Sequence, residues 1–322
     1  MASGQPPQVP AKLVLAATLT LLFLVAVGGA LVLWAGWEGV LDALKRVGFL
    51  AVVVTLLTSL VGYFIRFLRW QLFLAALDEH VPWRRSLRIY ISGFALTGTP
   101  GKAGELIRGV FLAREGVAYS RSFLLFFWDR LSDLAGVLLL AVIAVGWVSS
   151  NHTLLIPAVI IWVVAFWILR PGGRVFTTLV LLASRRLGPQ RRRKVSTLVK
   201  LREADARMNK RLAASGVLAG ACAYAMHGVG LTVLLKACGA DLSIAAALLV
   251  VSISSLAGAA VLLPAGAGMV ETTSVGILVA LGVTAGDAVA IGLLHRATTF
   301  WFATTLGALS LATLAGRNRH GR

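Results

Sequence analysis

The chain has 322 residues, 58% of them hydrophobic and 14% charged, with a mean hydropathy of +0.85. That balance excludes an ordinary soluble domain. Its net charge of +18 sits on Lys and Arg clustered in short stretches between apolar runs, the pattern of cytoplasmic loops and not of a nucleic-acid-binding face. The two cysteines, Cys222 and Cys238, make neither a metal-binding spacing nor a disulfide framework.

Residues 1–10, with three prolines and a glycine, read as a disordered tail. An apolar run from Lys12 to Trp34 is long enough to span a bilayer, since a helix needs about 20 residues to cross ~30 Å of hydrocarbon. It lacks a basic leader and a small-residue cleavage site, so it reads as a retained first span and not a signal peptide. Residues 37–47 pattern as a short interfacial helix. Span 2, Phe49 to Leu77, carries Tyr63, Arg66 and Arg69 along one face at helical spacing, and Asp78 to Arg88 is a charged loop. Ile89 to Leu96 is too short to cross alone before the break at Pro100-Gly101-Lys102-Ala103-Gly104. A helix resumes at Glu105 and ends near Gly116, which predicts a re-entrant hairpin; two proline-kinked full spans are the alternative.

Span 3, Ser122 to Val148, holds Asp129, Arg130 and Asp133, and span 4 covers Leu154 to Leu169. From Arg170 to Arg211 there are thirteen Lys or Arg and two acids, including Arg191-Arg192-Arg193-Lys194. This loop is placed in the cytoplasm, where its middle can lie on anionic lipid. Span 5 is Leu212 to Ala237, a second broken segment runs from Leu242 to Leu281 around Pro264–Gly268, and span 6 is Ala288 to Leu314. The sum is an all-α polytopic membrane protein: six full spans and two re-entrant helical hairpins in a single transmembrane domain, 11–316, followed by a basic tail, 317–322.

The two breaks echo each other. Glu105, Gly116-Val117 and Arg130 recur in register as Glu271, Gly282-Val283 and Arg296, while Tyr63 and Arg66 align with Tyr224 and His227. Ordered anchors of this kind indicate an internal duplication. Counting spans from the cytoplasmic 170–211 loop puts both termini in the cytoplasm and makes repeat A (49–148) and repeat B (212–314) enter from opposite faces. That is an inverted-topology repeat, a plan common in transporters.

Charges inside a membrane cost several kcal/mol unless paired or hydrated, which makes them functional candidates. Arg66, Arg69, Arg130 and Arg296 are the candidate ligands of phosphate oxygens in a polar cavity near the pseudo-twofold axis, a task suited to the guanidinium fork. Glu105, Arg108, Asp129, Asp133 and Glu271 are the supporting or coupling set. Backbone breaks at Pro100, Gly101, Gly104, Pro264, Gly266 and Gly268 would expose helix N-termini to an anion. The competing reading makes Glu105–Arg130 and Glu271–Arg296 structural ion pairs that pin each hairpin to the following span. His227 and His295 read as hydrogen-bonded helix residues, and Phe123, Phe126, Phe127 and Trp128 as packing. No metalloprotease or serine-hydrolase motif occurs, so no enzyme, metal or cofactor is predicted.

With these motifs in place the chain resembles the lysylphosphatidylglycerol synthase transmembrane-region family of flippase-like proteins. The resemblance rests on Arg66 and Arg69-Trp70, Pro100-x-x-x-Gly104-Glu105-x-x-Arg108, Asp129-Arg130-x-x-Asp133, Pro264-x-Gly266-x-Gly268-x-x-Glu271 and Arg296. Asp129 stands where glutamate is the expected family residue; the charge is kept. The resemblance implies translocation of a lipid with an anionic or phosphate-bearing head group across the cytoplasmic membrane of a prokaryote. It does not imply lipid synthesis, because the aminoacyl-transfer domain of two-part members is not in these 322 residues. Implied partners are a membrane lipid, an anionic lipid surface at Arg191–Lys194, and a lipid- or glycan-synthesis enzyme. Two rival functions share the same residues: transport of a small soluble anion, and a non-transporting accessory role in such a synthesis complex.

Overall fold

Ten helices and two irregular helical turns make up the regular structure described in a computed structural model, which covers residues 25–99, 105–149, 209–261, 266 and 268–316 and the single positions 160 and 178. The 1–10 tail, span 4, nearly all of the 170–211 loop including Arg191–Lys194, the 317–322 tail, and Pro100, Gly101, Gly104 and Pro264 lie outside the described residues. In chain order the helices are α1 (Val25–Ala35), α2 (Trp37–Ala76), α3 (Trp83–Ser92), α4 (Ile107–Arg114), α5 (Tyr119–Ser149), α6 (Lys210–Ala237), α7 (Ile244–Ala260), α8 (Met269–Ala280), α9 (Ala285–Arg296) and α10 (Phe302–Gly316). A 3₁₀ turn, Gly93–Leu96, extends α3, and a π turn, Ala297–Trp301, joins α9 to α10.

Local chemistry sets these boundaries. Side chains of Asn209, Ser243 and Thr284 accept the backbone N–H groups of Leu212, Ala246 and Asp287, capping α6, α7 and α9. The repeat anchors Gly116 and Gly282 both take positive φ, 87° and 91°, just past α4 and α8. The N–H of the following valine bonds back to Leu112 O or Leu278 O, at 3.0 Å in both halves, closing the helix ends with the same motif. The predicted interfacial helix is continuous with span 2 in α2, bent at Gly48, whose φ of 68° and ψ of 164° only glycine adopts readily. Its Val40, Ala43 and Val47 are buried within the protein, alongside α9.

Among the described residues, four helical stretches are long and apolar enough to cross a membrane: Trp37–Ala76, Tyr119–Val148, Lys210–Ala237 and Ala285–Leu314. These correspond to predicted spans 2, 3, 5 and 6. The regions around the two breaks are built from shorter helices, α3 with its 3₁₀ turn and α4 in one half, α7 and α8 in the other.

The packing repeats itself across the centre. α2 lies against α6; α5 packs on α6 and α7, while α9 packs on α2 and α10 packs on α3 and its 3₁₀ turn. Exchanging the two halves therefore maps one set of contacts onto the other. At one end of the bundle the α2–α3 and α4–α5 connections meet: Arg85 pairs with Glu115 at 2.7 Å, Arg121 pairs with Glu79, and Ser310 of α10 donates to Arg88 O at 2.8 Å. At the other end Arg46 donates to Cys238 O at 3.2 Å and pairs with Asp287, gathering α2, the α6–α7 turn and the start of α9. Side-chain ties thus join the two ends of the first broken segment to each other, and those of the second to the early part of α2.

Two apolar clusters hold this arrangement, one around Phe67, Trp70, Phe73, Tyr90 and Trp128, the other around Leu231, Leu234, Leu278, Val289 and Ile291. Leu33, Phe49 and Leu50 are 75 to 83% exposed on the outer surface, apolar where a soluble protein would be polar.

Candidate functional site

A cavity of about 350 Å³ opens between the two halves, and its wall draws on both apolar clusters and on both breaks. From α2 come Tyr63 and Arg66, from α6 Tyr224 and His227, and from α5 Arg130, Asp133, Leu134 and Val137. Thr97 and Glu105 flank the first break, while Gly266, Val270, Glu271 and Ser274 come from the second; His295, Arg296, Thr299 and Phe300 complete the wall. Apolar side chains alternate with these polar groups, giving a surface suited to a partly polar ligand.

α2 and α6 exchange matching contacts at the centre. Arg66 places its guanidinium 4.5 Å from the Tyr224 ring, and the reciprocal pair, Tyr63 and His227, has ring centroids 6.1 Å apart. Tyr63 of α2 thus faces His227 of α6, and Tyr224 of α6 faces Arg66 of α2.

In the first half seven charges interlock. Glu105 lies 3.1 Å from Arg108 and 3.4 Å from Arg130, and its other oxygen accepts from Thr97 at 3.1 Å. Arg130 also reaches Asp129 at 2.8 Å and Asp133 at 3.2 Å. Asp133 in turn lies 3.5 Å from Arg66 and 2.8 Å from Arg69. Arg108 is stacked on Tyr90, 4.3 Å from its centroid, and donates to Tyr90 O at 2.9 Å. Four arginines against three carboxylates leave this cluster one positive charge in excess.

In the second half Glu271 pairs with Arg296 at 2.7 Å. Its other oxygen accepts the Gly268 N–H at 2.9 Å, so the carboxylate also caps α8. Gly268 takes a φ of 81° at that cap. Gly266 packs so closely on α7 that a Cβ there would lie 2.8 Å from the Gly258 Cα. Phe300 lies over Arg296, 4.4 Å away, and His295 Nε2 is 3.2 Å from His227 O.

The structure thus brings Arg66, Arg130, Arg296, Glu105, Asp133 and Glu271 to one cavity. Arg69 is placed elsewhere. Its side chain is 0% exposed and held by Asp129 and Asp133, one turn of α2 beyond the cavity-lining Arg66. Arg69 is therefore absent from the lining of this cavity, and its ion-pair partners are carboxylates. Arg108 and Asp129 are likewise sealed behind the wall, at 2% and 0% side-chain exposure. Sequence reasoning used Tyr63 and Tyr224 only as repeat markers and did not single out Thr97, Thr299 or Phe300. The i, i+3 spacing of Tyr63 to Arg66 and of Tyr224 to His227, and the i, i+4 spacing of Arg296 to Phe300, were the available signals.

A chain with this all-helical, charge-lined architecture is a polytopic membrane protein, and its relatives agree. The chain belongs to the family described as the lysylphosphatidylglycerol synthase TM region, which it matches over residues 14–307. It is similar to a UPF0104 membrane protein of Pyrococcus horikoshii, 23% identical over 89% of this chain and 95% of that protein. A UPF0104 membrane protein of Methanothermobacter thermautotrophicus is 22% identical, over 89% of this chain and 90% of the relative.

Proposed function

We propose that this protein moves a lipid with an anionic or phosphate-bearing head group across the cytoplasmic membrane, without catalysing a chemical step. The head group occupies the cavity while the acyl chains stay in the bilayer. Arg66, Arg130 and Arg296 hold the phosphate oxygens and offset its desolvation. The observation that carries this reading is the convergence of both Glu–Arg pairs and Arg66 on one cavity whose remaining wall is largely apolar. A site for a fully hydrated small anion has less use for Leu134, Val137, Val250 and Val251.

In this reading the two broken segments are re-entrant hairpins, and the halves are inverted repeats with both termini in the cytoplasm. Support comes from the exchange-symmetric packing and from the ties that hold the two ends of the first segment together and, through Arg46, those of the second. The test is a dithionite-quenching assay on proteoliposomes holding fluorescent lipids of different head groups. Wild type should bleach the protected leaflet faster for phosphate-bearing anionic lipids, and Arg296→Ala should lose most of that gain. Equal rates in wild type, variant and empty liposomes, for phospholipids and a polyprenyl-phosphate probe alike, would end the lipid reading.

A further inference from the structure

Resting on that reading, we propose that Glu271 is an internal stand-in for the substrate phosphate: its carboxylate holds Arg296 in the empty cavity and gives it up when a phosphate group arrives. Glu271 Oε1 lies 2.7 Å from Arg296 Nε, in a wall that faces the cavity. A carboxylate and a phosphate monoester present similar oxygens to a guanidinium, so the two compete for one fork. Arg296 keeps 15% of its side chain exposed while Glu271 keeps 4%, which puts the arginine on the ligand's side of the pair.

What makes the exchange feasible is the second bond of Glu271. Removing one partner of a buried ion pair is costly because it strands the other charge. Here Oε2 retains the Gly268 N–H at 2.9 Å, and the residue sits in the first turn of α8, where the helix dipole favours an anion. The carboxylate therefore has a partner outside the cavity to remain with. The first half is built differently. Arg130 is held by Glu105, Asp129 and Asp133 together, so loss of any one carboxylate leaves two in place. The exchange is accordingly assigned to repeat B, and Arg130 supplies a standing positive wall opposite it.

The substitution that isolates this role is Glu271→Gln. Glutamine keeps an oxygen for the Gly268 N–H and is itself a good residue at that capping position, so the fold is retained while the competing charge is removed. The probe is dioctanoyl phosphatidic acid, with dioctanoylglycerol, which lacks the phosphate, as control, titrated into the full-length protein in detergent. Glu271→Gln should bind phosphatidic acid about fivefold or more tighter than wild type, with no change for dioctanoylglycerol. Arg296→Ala should abolish the gain in the double variant, and Glu105→Gln should change affinity by less than about twofold. Equal or weaker binding by a Glu271→Gln protein that melts like wild type would make the pair purely structural and overturn the proposal, while leaving the flippase reading intact if Arg296→Ala still loses phosphatidic acid. Absence of phosphate-dependent binding in wild type and in Glu271→Gln would overturn both.

Discussion

At the scale of single residues, the decisive contrast is between arginines one helical turn apart. Arg66 and Arg69 share a face of α2, and their spacing alone assigns them one role. Yet Arg66 lines the cavity while Arg69, with 0% side-chain exposure, is enclosed by Asp129 and Asp133. Which of them meets a ligand depends on where α5 lies, information that no local pattern in α2 contains. The consequence is measurable. Asp129→Ala takes away one of the two carboxylates on Arg69 and raises the buried excess from one positive charge to two, which should cost about 3–5 kcal/mol, read as a large fall in melting temperature in detergent. Arg296→Ala, at the cavity wall, should instead impair lipid movement with a far smaller loss of stability. Were Asp129→Ala to melt like wild type, the buried pair would not be holding α2 to α5.

At the scale of elements, the glycines at helix ends and bends do what side-chain-bearing residues do poorly. Gly116 and Gly282 were legible as anchors of a repeat, and their matching positive φ values show the shared geometry behind the pattern. Gly48 was not legible. The chain from Trp37 to Ala76 reads as an interfacial helix followed by a span, and the structure joins them through this one residue. Its conformation belongs to a region essentially reserved for glycine, so Gly48→Ala should destabilise the protein by about 1–3 kcal/mol. Thermal unfolding monitored by circular dichroism would check this, and an unchanged transition would mean that the bend relaxes without cost. The breaks themselves were legible as Pro-Gly interruptions in apolar sequence. Their end-to-end closure was not, because Arg85–Glu115 joins the two ends of the first segment across intervening chain.

For the whole molecule, the prediction concerns sidedness. In a background lacking Cys222 and Cys238, single cysteines at Glu79 and Asp241 should react with an impermeant maleimide from opposite sides of sealed vesicles, and one at Glu38 should match Asp241. Labelling of Glu79 and Asp241 from the same side would remove the inverted arrangement. The second half of that expectation follows from Arg46, which ties the early part of α2 to Cys238 and Asp287.

Membrane character, helical class, the paired breaks and the Glu–Arg motifs were all written in the linear order of residues. Long apolar runs leave the backbone no solution but the helix in lipid. Two matters were left to the tertiary structure: that Arg69, Arg108 and Asp129 are sealed behind the cavity wall, and that Tyr63 and Tyr224 reach across between α2 and α6. The physical reason is that a charge acquires its role from what surrounds it. Burial and partners within 4 Å come from helices distant in sequence, and helix periodicity limits which faces are available without saying which neighbour each will meet.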